Sequence, residues 1–150
     1  MPQSLAQIYL HIVYSTKHRQ PFLKDAALLT RAHAYLAEVC GNLDSPALIV
    51  GGVEDHVHLL CRLGRQITVA DFIRDQKRAS SLWLKTKPGC RDFQWQSGYG
   101  AFSISPVHVP GLTKYIEDQR EHHQKETFQD EFRRLCQKYG VEIDERHVWD

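Results

Sequence analysis

Hydrophobic and polar positions alternate, cluster or recur along this chain in a way that sets out its strands and helices. "AQIYLHIVYS", residues 6–15, is dense in β-branched and aromatic residues and predicts a strand. From Asp25, the apolar positions Leu28, Ala32, Tyr35, Leu36 and Val39 recur at helical spacing, with Gly41 as the expected stop. "PALIVGGV" and "HVHLLCRL" flank "EDH" as two adjacent strands. Thr68, with Asp71 three residues on, predicts the start of a helix through Val69, Phe72, Ile73, Ala79 and Trp83. "FQWQSGYGAFSIS" predicts a strand, a glycine turn and a second strand. A helix follows from Val109 or Gly111 to Gln124. Another begins at Thr127, carries Phe128, Phe132, Leu135 and Tyr139 on one side, and stops at Gly140.

The order β-α-β-β-α-β plus two helices is that of a split βαβ. The expected class is therefore α+β and ferredoxin-like: an antiparallel sheet with two helices on one face. The second sheet face is left for the additional C-terminal helices. Repeats, low-complexity tracts and linkers are missing, so one domain over residues 1–150 is expected.

Composition adds little until it is read by position. A hydrophobic fraction of 42% and a charged fraction of 25% are ordinary for a globular chain. No apolar run approaches the roughly 20 residues of a membrane span, and the first residues do not read as a secretion signal. A cytoplasmic protein with no membrane partner is expected. Cys40, Cys61, Cys90 and Cys136 form no CxxC pair and are expected to be free thiols. The net charge is only +1, yet Arg62–Arg91 holds eight Lys/Arg against two acidic residues. Tyr115–Asp150 holds six against ten. A basic middle fits a polyanion partner, or a solvated helix face.

Candidate chemistry begins at "DHVH". Side chains alternate across a strand, so His56 and His58 share a face while Val57 and Leu59 take the other. If the valine side meets the helices, both imidazoles stand on the open face, close enough to converge on one metal ion. A structural role for the pair is the competing reading. The helix "GLTKYIEDQREHHQ" supplies further groups. Tyr115 and Gln119 are four apart and lie on one face, His122 and His123 follow on about the same side, and Leu112 and Ile116 form a docking stripe.

"DHVHLL" with "YIEDQREHH" resembles the single-tyrosine HUH transposases of the smallest bacterial insertion sequences. HUH denotes histidine, bulky hydrophobe, histidine, with Val57 as the hydrophobe. The likeness runs through "YSTKHRQPFL", "WQSGYGAFSIS" and "DERHVWD", and so spans essentially the whole chain. It implies His56, His58 and Gln119 as metal ligands and Tyr115 as catalytic nucleophile. It also implies a homodimer in which the tyrosine helix of one subunit can act in trans on the other. The implied substrate is single-stranded DNA with imperfect hairpin ends. Cleavage would leave a 5′-phosphotyrosine and a free 3′-hydroxyl, with no small-molecule cofactor. Asp55 stands where many relatives carry an amide, which bears on the hydrogen bonding behind His56 and not on the ligands themselves.

The chemistry is coherent from first principles. A free tyrosine, with a pKa of about 10, is a weak nucleophile at neutral pH. A divalent cation on the scissile phosphate withdraws charge and steadies the leaving 3′-oxygen. Two nitrogens and an amide oxygen suit Mg²⁺ or Mn²⁺, with Mn²⁺ the better match to imidazole. His122 or His123 is a candidate for proton transfer. Arg74, Lys77 and Arg78 share a helix face and, with Lys85, Lys17 and Arg19, are candidates for nucleic-acid contact. Trp83 and Trp95 are read as core before base-stacking platforms. Three alternatives stand beside the transposase. One is a host-captured HUH nickase acting on repeated hairpins. Another is a non-catalytic nucleic-acid-binding ferredoxin-like module. The last is a small metal hydrolase with no covalent intermediate.

Overall fold

The computed structural model describes residues 2–150. Its elements are β1 (Tyr9–Ser15), α1 (Ala26–Asn42), β2 (Ala47–Val53), β3 (His56–Arg62), α2 (Val69–Leu84), β4 (Gly100–Ile104), α3 (Val109–Glu117), α4 (Gln119–His122) and α5 (Phe128–Tyr139). The strands form one antiparallel sheet in the order β2-β3-β1-β4. This is the expected α+β, ferredoxin-like architecture. No helix among the described residues is long and apolar enough to cross a membrane.

Alternation in the two central strands divides the molecule into two layers. Leu10, Ile12 and Tyr14 of β1 and Val57, Leu59 and Cys61 of β3 face α1 and α2. There they join Leu36, Phe72, Ile73, Phe93 and Trp95 in the main core. Each large aliphatic side chain buried here contributes about 1.5–3 kcal/mol. Val13 and Phe102 point the other way and meet Phe128, Phe132, Leu135 and Cys136 of α5. The face left open by the split βαβ is thus closed by the C-terminal helices. α5 is its apolar cover.

Local signals explain most boundaries. Thr68 and Thr127 accept hydrogen bonds from the backbone N–H groups of Asp71 and Asp130 and so start α2 and α5. Gly140 ends α5 in the left-handed conformation, at φ 71°. Gly41, in contrast, does not end α1, which runs on to Asn42. The left-handed residue there is Asp44, at φ 52°. Asp tolerates that region because its short polar side chain can bond locally.

Two further expectations are corrected. The strand expected within "FQWQS" is reduced to an isolated bridge between Thr16 and Trp95. β4 already pairs with residues 9–13 of β1, so this segment meets only the end of β1, through Lys17 N–Gln94 O and Gln96 N–Ser15 O. The helix expected from Val109 to Gln124 is broken. Asp118, at φ −91° and ψ 17°, leaves helical geometry and separates α3 from α4.

One glycine fixes where α3 lies. A Cβ on Gly51 of β2 would fall 2.6 Å from Ile116 Cγ2 and 2.7 Å from the Ile116 carbonyl oxygen. The missing side chain lets α3 lie against β2 with Ile116 buried. Gly51 is also the cross-strand partner of His58. Gly51→Ala is expected to push α3 outward and destabilise the fold by about 1–3 kcal/mol. Urea denaturation measures this, and an unchanged midpoint would show that the contact is soft.

Candidate metal and tyrosine site

His56 and His58 project from β3 toward the face covered by α3, α4 and α5, and both are fully buried. α3 and α4 bring Tyr115 and Gln119 over them. α5 adds a residue that sequence reasoning passed over, Glu131, whose carboxylate is buried at the centre of the site. Its Oε1 lies 2.9 Å from His58 Nε2, 2.9 Å from His123 Nε2 and 3.2 Å from His56 Nε2. Its Oε2 accepts from Gln119 Nε2 at 3.0 Å and from the Tyr115 hydroxyl. Gln119 Oε1 completes the ring, 3.0 Å from His56 Nε2.

The outer nitrogen of each imidazole is held as well. His56 Nδ1 meets Asp55 Oδ1 at 2.7 Å, so Asp55 does take the supporting position that its place in the sequence suggested. His58 Nδ1 pairs with His11 Nε2 at 2.8 Å, and His11 Nδ1 in turn lies 3.3 Å from the Tyr139 hydroxyl. His123 Nδ1 donates to the Glu126 carbonyl at 2.9 Å. Holding Nδ1 orients each ring so that Nε2 faces the same centre, as metal-ligating histidines require. The ligand atoms of His56, His58, His123 and Glu131 all lie within 4.8 Å of one another. Three imidazole nitrogens and a carboxylate, with an amide oxygen adjacent, form a donor set that fits Mn²⁺ or Zn²⁺.

The electrostatics follow from burying one carboxylate among these rings. Burial alone would lower His56, but its hydrogen bonds to Asp55 and Glu131 outweigh it and raise the ring to about 9. Burial dominates at His58 and lowers it, against the pull of Glu131. Burial would raise Glu131, yet the charge of His58 and the hydrogen bonds from His123, His56 and His58 hold it well below the carboxylate range. Tyr115 is raised by burial and then by Glu131, while Arg134 works in the opposite direction.

The other sequence candidates lie around this centre or away from it. His122 does not reach Glu131; its ring stacks on Tyr115 with centroids 4.6 Å apart. Lys17, Arg74, Lys77 and Arg78 line one groove of about 450 Å³ beside Trp95, Gln96 and Tyr99. Within it Arg74 is paired to Asp71 and Asp75, each at 3.1 Å. The Lys77 ammonium turns inward onto the carbonyls of Gln96, Ser97 and Gly98, and burial lowers it to about 8. Arg19 lies in a different cleft, with Asp55, His123 and Glu126, on the approach to the imidazoles. Lys85 is exposed at the end of α2. Trp95 is in the core, and Trp83 stacks on Tyr35 at 4.7 Å. The four cysteines are free and buried.

Fold and site together define an α+β HUH-type arrangement: a split βαβ sheet, an HxH pair on its second face and a tyrosine helix above it. The comparisons with known proteins agree. The family model described as "Transposase IS200 like" matches residues 4–119. A Deinococcus radiodurans crystal structure described as a transposase is similar, with a TM-score of 0.61 and 21% identity over 79% of this chain and 98% of that one. A REP-associated tyrosine transposase, solved bound to a REP hairpin, has a TM-score of 0.59 and 12% identity over 82% and 73%. No curated protein matches the sequence. The chain belongs to the IS200-like transposase family, and its fold and site are HUH-type.

The raised His56 gives a pH prediction. A group whose folded pKa exceeds its ordinary value of about 6.5 stabilises fully below that value and loses the effect as pH rises through its folded pKa. The melting temperature of the metal-free protein is expected to fall between about pH 7 and about pH 10, and less steeply in His56→Gln. An identical slope in both proteins would show that His56 is not the group responsible.

Proposed function

We propose that this transposase cleaves and rejoins single-stranded DNA through a 5′-phosphotyrosine on Tyr115, within one domain over residues 1–150. The observation that carries the reading is the meeting of Tyr115, Gln119, His56 and His58 on a single buried centre. His56 and His58 would hold a divalent cation; of the Mg²⁺ and Mn²⁺ expected from the sequence, the imidazole-rich donor set favours Mn²⁺. Gln119 is the third ligand expected from the family pattern, and Glu131 and His123 are further donors within reach. Such a cation supplies Lewis-acid charge to the scissile phosphate and the leaving 3′-oxygen.

The chain's own groups set when the nucleophile is available. In the arrangement described here, the Tyr115 hydroxyl donates to Glu131, and this carboxylate keeps the phenol protonated. A cation held by Glu131 would draw that charge away from the phenol, whose proton would then pass more readily to water. α3, seated by Ile116 against Gly51, fixes the tyrosine over the imidazoles. The phenolic oxygen forms a bond to phosphorus, the P–O3′ bond breaks, and the 3′-oxygen takes a proton from water. The phosphoester count is unchanged, so rejoining is the same step reversed.

The substrate is read as DNA with hairpin ends. The transposase solved with a REP hairpin shares this fold, and the groove holding Lys17, Arg74 and Arg78 offers cations for phosphates. A role on repeated hairpins outside a mobile element uses the same chemistry. Two DNA ends call for two tyrosines, which a homodimer supplies. Tyr115 acting on its own chain's histidines is one of the two arrangements open to such a pair, and exchange in trans is the other.

The test uses oligonucleotides copied from DNA flanking the gene and labelled 3′ to the expected cut. With Mn²⁺, a labelled protein band is expected on a denaturing gel. It should disappear with chelator and in Tyr115→Phe, while DNA binding by that variant stays within about threefold of wild type. Undiminished cleavage by Tyr115→Phe would replace the tyrosine mechanism with metal-assisted hydrolysis.

A further inference from the structure

The Tyr115 hydroxyl has a second partner, and neither the family pattern nor the HUH motif assigns it. Arg134 Nη2 donates to the phenolic oxygen at 2.7 Å. The same guanidinium donates to Glu126 through Nη2 at 2.7 Å and Nε at 3.4 Å, and its carbon lies 5.6 Å from the centre of the Tyr115 ring. Arg134 sits on α5 one turn beyond Glu131, outside the residues 4–119 that match the family model.

We infer that Arg134 is a catalytic residue of the strand-transfer reaction, holding the negative charge of the Tyr115 oxygen as the phosphotyrosine bond forms and breaks. The inference rests on the proposed tyrosine mechanism. A phenol has one proton, which points at Glu131, so a lone pair of the same oxygen receives the Arg134 donor. That lone pair side is where charge develops when the proton leaves. A guanidinium stays charged at every working pH and offers donors in a fixed fork. Glu126 takes Nε and one hydrogen of Nη2, and the second hydrogen of Nη2 is left on the reacting atom. The side chain is about half exposed, so it stands on the solvent side of the tyrosine, where DNA must approach.

The balance of the step shows what Arg134 contributes. In the forward direction the phenol loses its proton to water, Oη–P forms and P–O3′ breaks, with a proton returning from water to the 3′-oxygen. In reverse, Oη is the leaving group and carries the same developing charge. One cation beside Oη therefore favours both directions, through the transition state rather than through DNA affinity.

An ion pair serving only to pin the loop before α5 is the competing explanation. An exposed pair of that kind contributes little. Single-turnover cleavage and rejoining by the full-length protein with Mn²⁺ separate the two. Arg134→Gln is expected to slow both steps by about 100-fold with DNA affinity within about threefold of wild type. Millimolar guanidinium chloride should restore part of the rate in Arg134→Ala, and Arg134→Lys should retain more activity than Arg134→Gln. Glu126→Gln, which removes the ion pair but keeps the guanidinium, should cost far less than Arg134→Gln.

Equal losses in Glu126→Gln and Arg134→Gln, with no guanidinium rescue, would overturn the inference in favour of loop pinning. Wild-type rates in Arg134→Gln while Tyr115→Phe is dead would overturn it and leave the tyrosine mechanism standing. Undiminished cleavage by Tyr115→Phe would remove the mechanism itself. Should Arg134→Gln unfold, Arg134→Lys and Glu126→Gln still give opposite rankings under the two explanations.

Discussion

The buried carboxylate of Glu131 is the interaction on which the functional half of the molecule depends. An ionised carboxylate without partners is among the costliest groups to bury. Here its two oxygens meet three imidazoles, an amide N–H and a phenol. Those five groups come from β3, α3, α4 and the turn that follows. A single side chain on α5 thereby ties together every element that contributes to the site. The apolar side of α5, through Phe128, Phe132 and Leu135, supplies the burial that makes this arrangement hold.

That constraint connects fold to chemistry. The split βαβ leaves one sheet face open, and alternation puts His56 and His58 on it. Gly51 lets α3 come close, so Tyr115 and Gln119 arrive above the histidines. Asp55, His11 and Glu126 then turn each ring so that Nε2 looks inward. The result is a pre-oriented nitrogen set around a negative oxygen, which is what a divalent cation requires. The same carboxylate accepts the hydrogen bond of the Tyr115 hydroxyl, so under the proposed function metal occupancy and release of the nucleophile would be linked through Glu131.

Much of this was legible in the sequence, because it lies in local patterns. The period of two placed His56 and His58 together, and the period of 3.6 placed Gln119 with Tyr115. Thr68 and Thr127 marked helix starts by their side-chain oxygens. What escaped depends on contacts between distant segments. Glu131 read as one more charge in an acidic tail, since nothing in its neighbours reveals that α5 turns it inward. His11 sat unremarked in a strand; only its pairing opposite Leu60, beside His58, gives it a role. The break at Asp118 has no proline or glycine to announce it. It accompanies the return of His123 to Glu131. Lys77 looked like a phosphate contact by its spacing, and three carbonyls from another loop claim its ammonium instead.

The proposed chemistry depends on a metal ion binding at the centre bounded by His56, His58 and Glu131. Crystals grown with Mn²⁺, with diffraction data collected at the manganese absorption edge, test it most directly. An anomalous peak is expected between the Nε2 atoms of His56 and His58, with the Glu131 carboxylate turned onto the ion and away from the Tyr115 hydroxyl. A map with no peak there, and Glu131 still bridging the histidines and the tyrosine at saturating Mn²⁺, would contradict it.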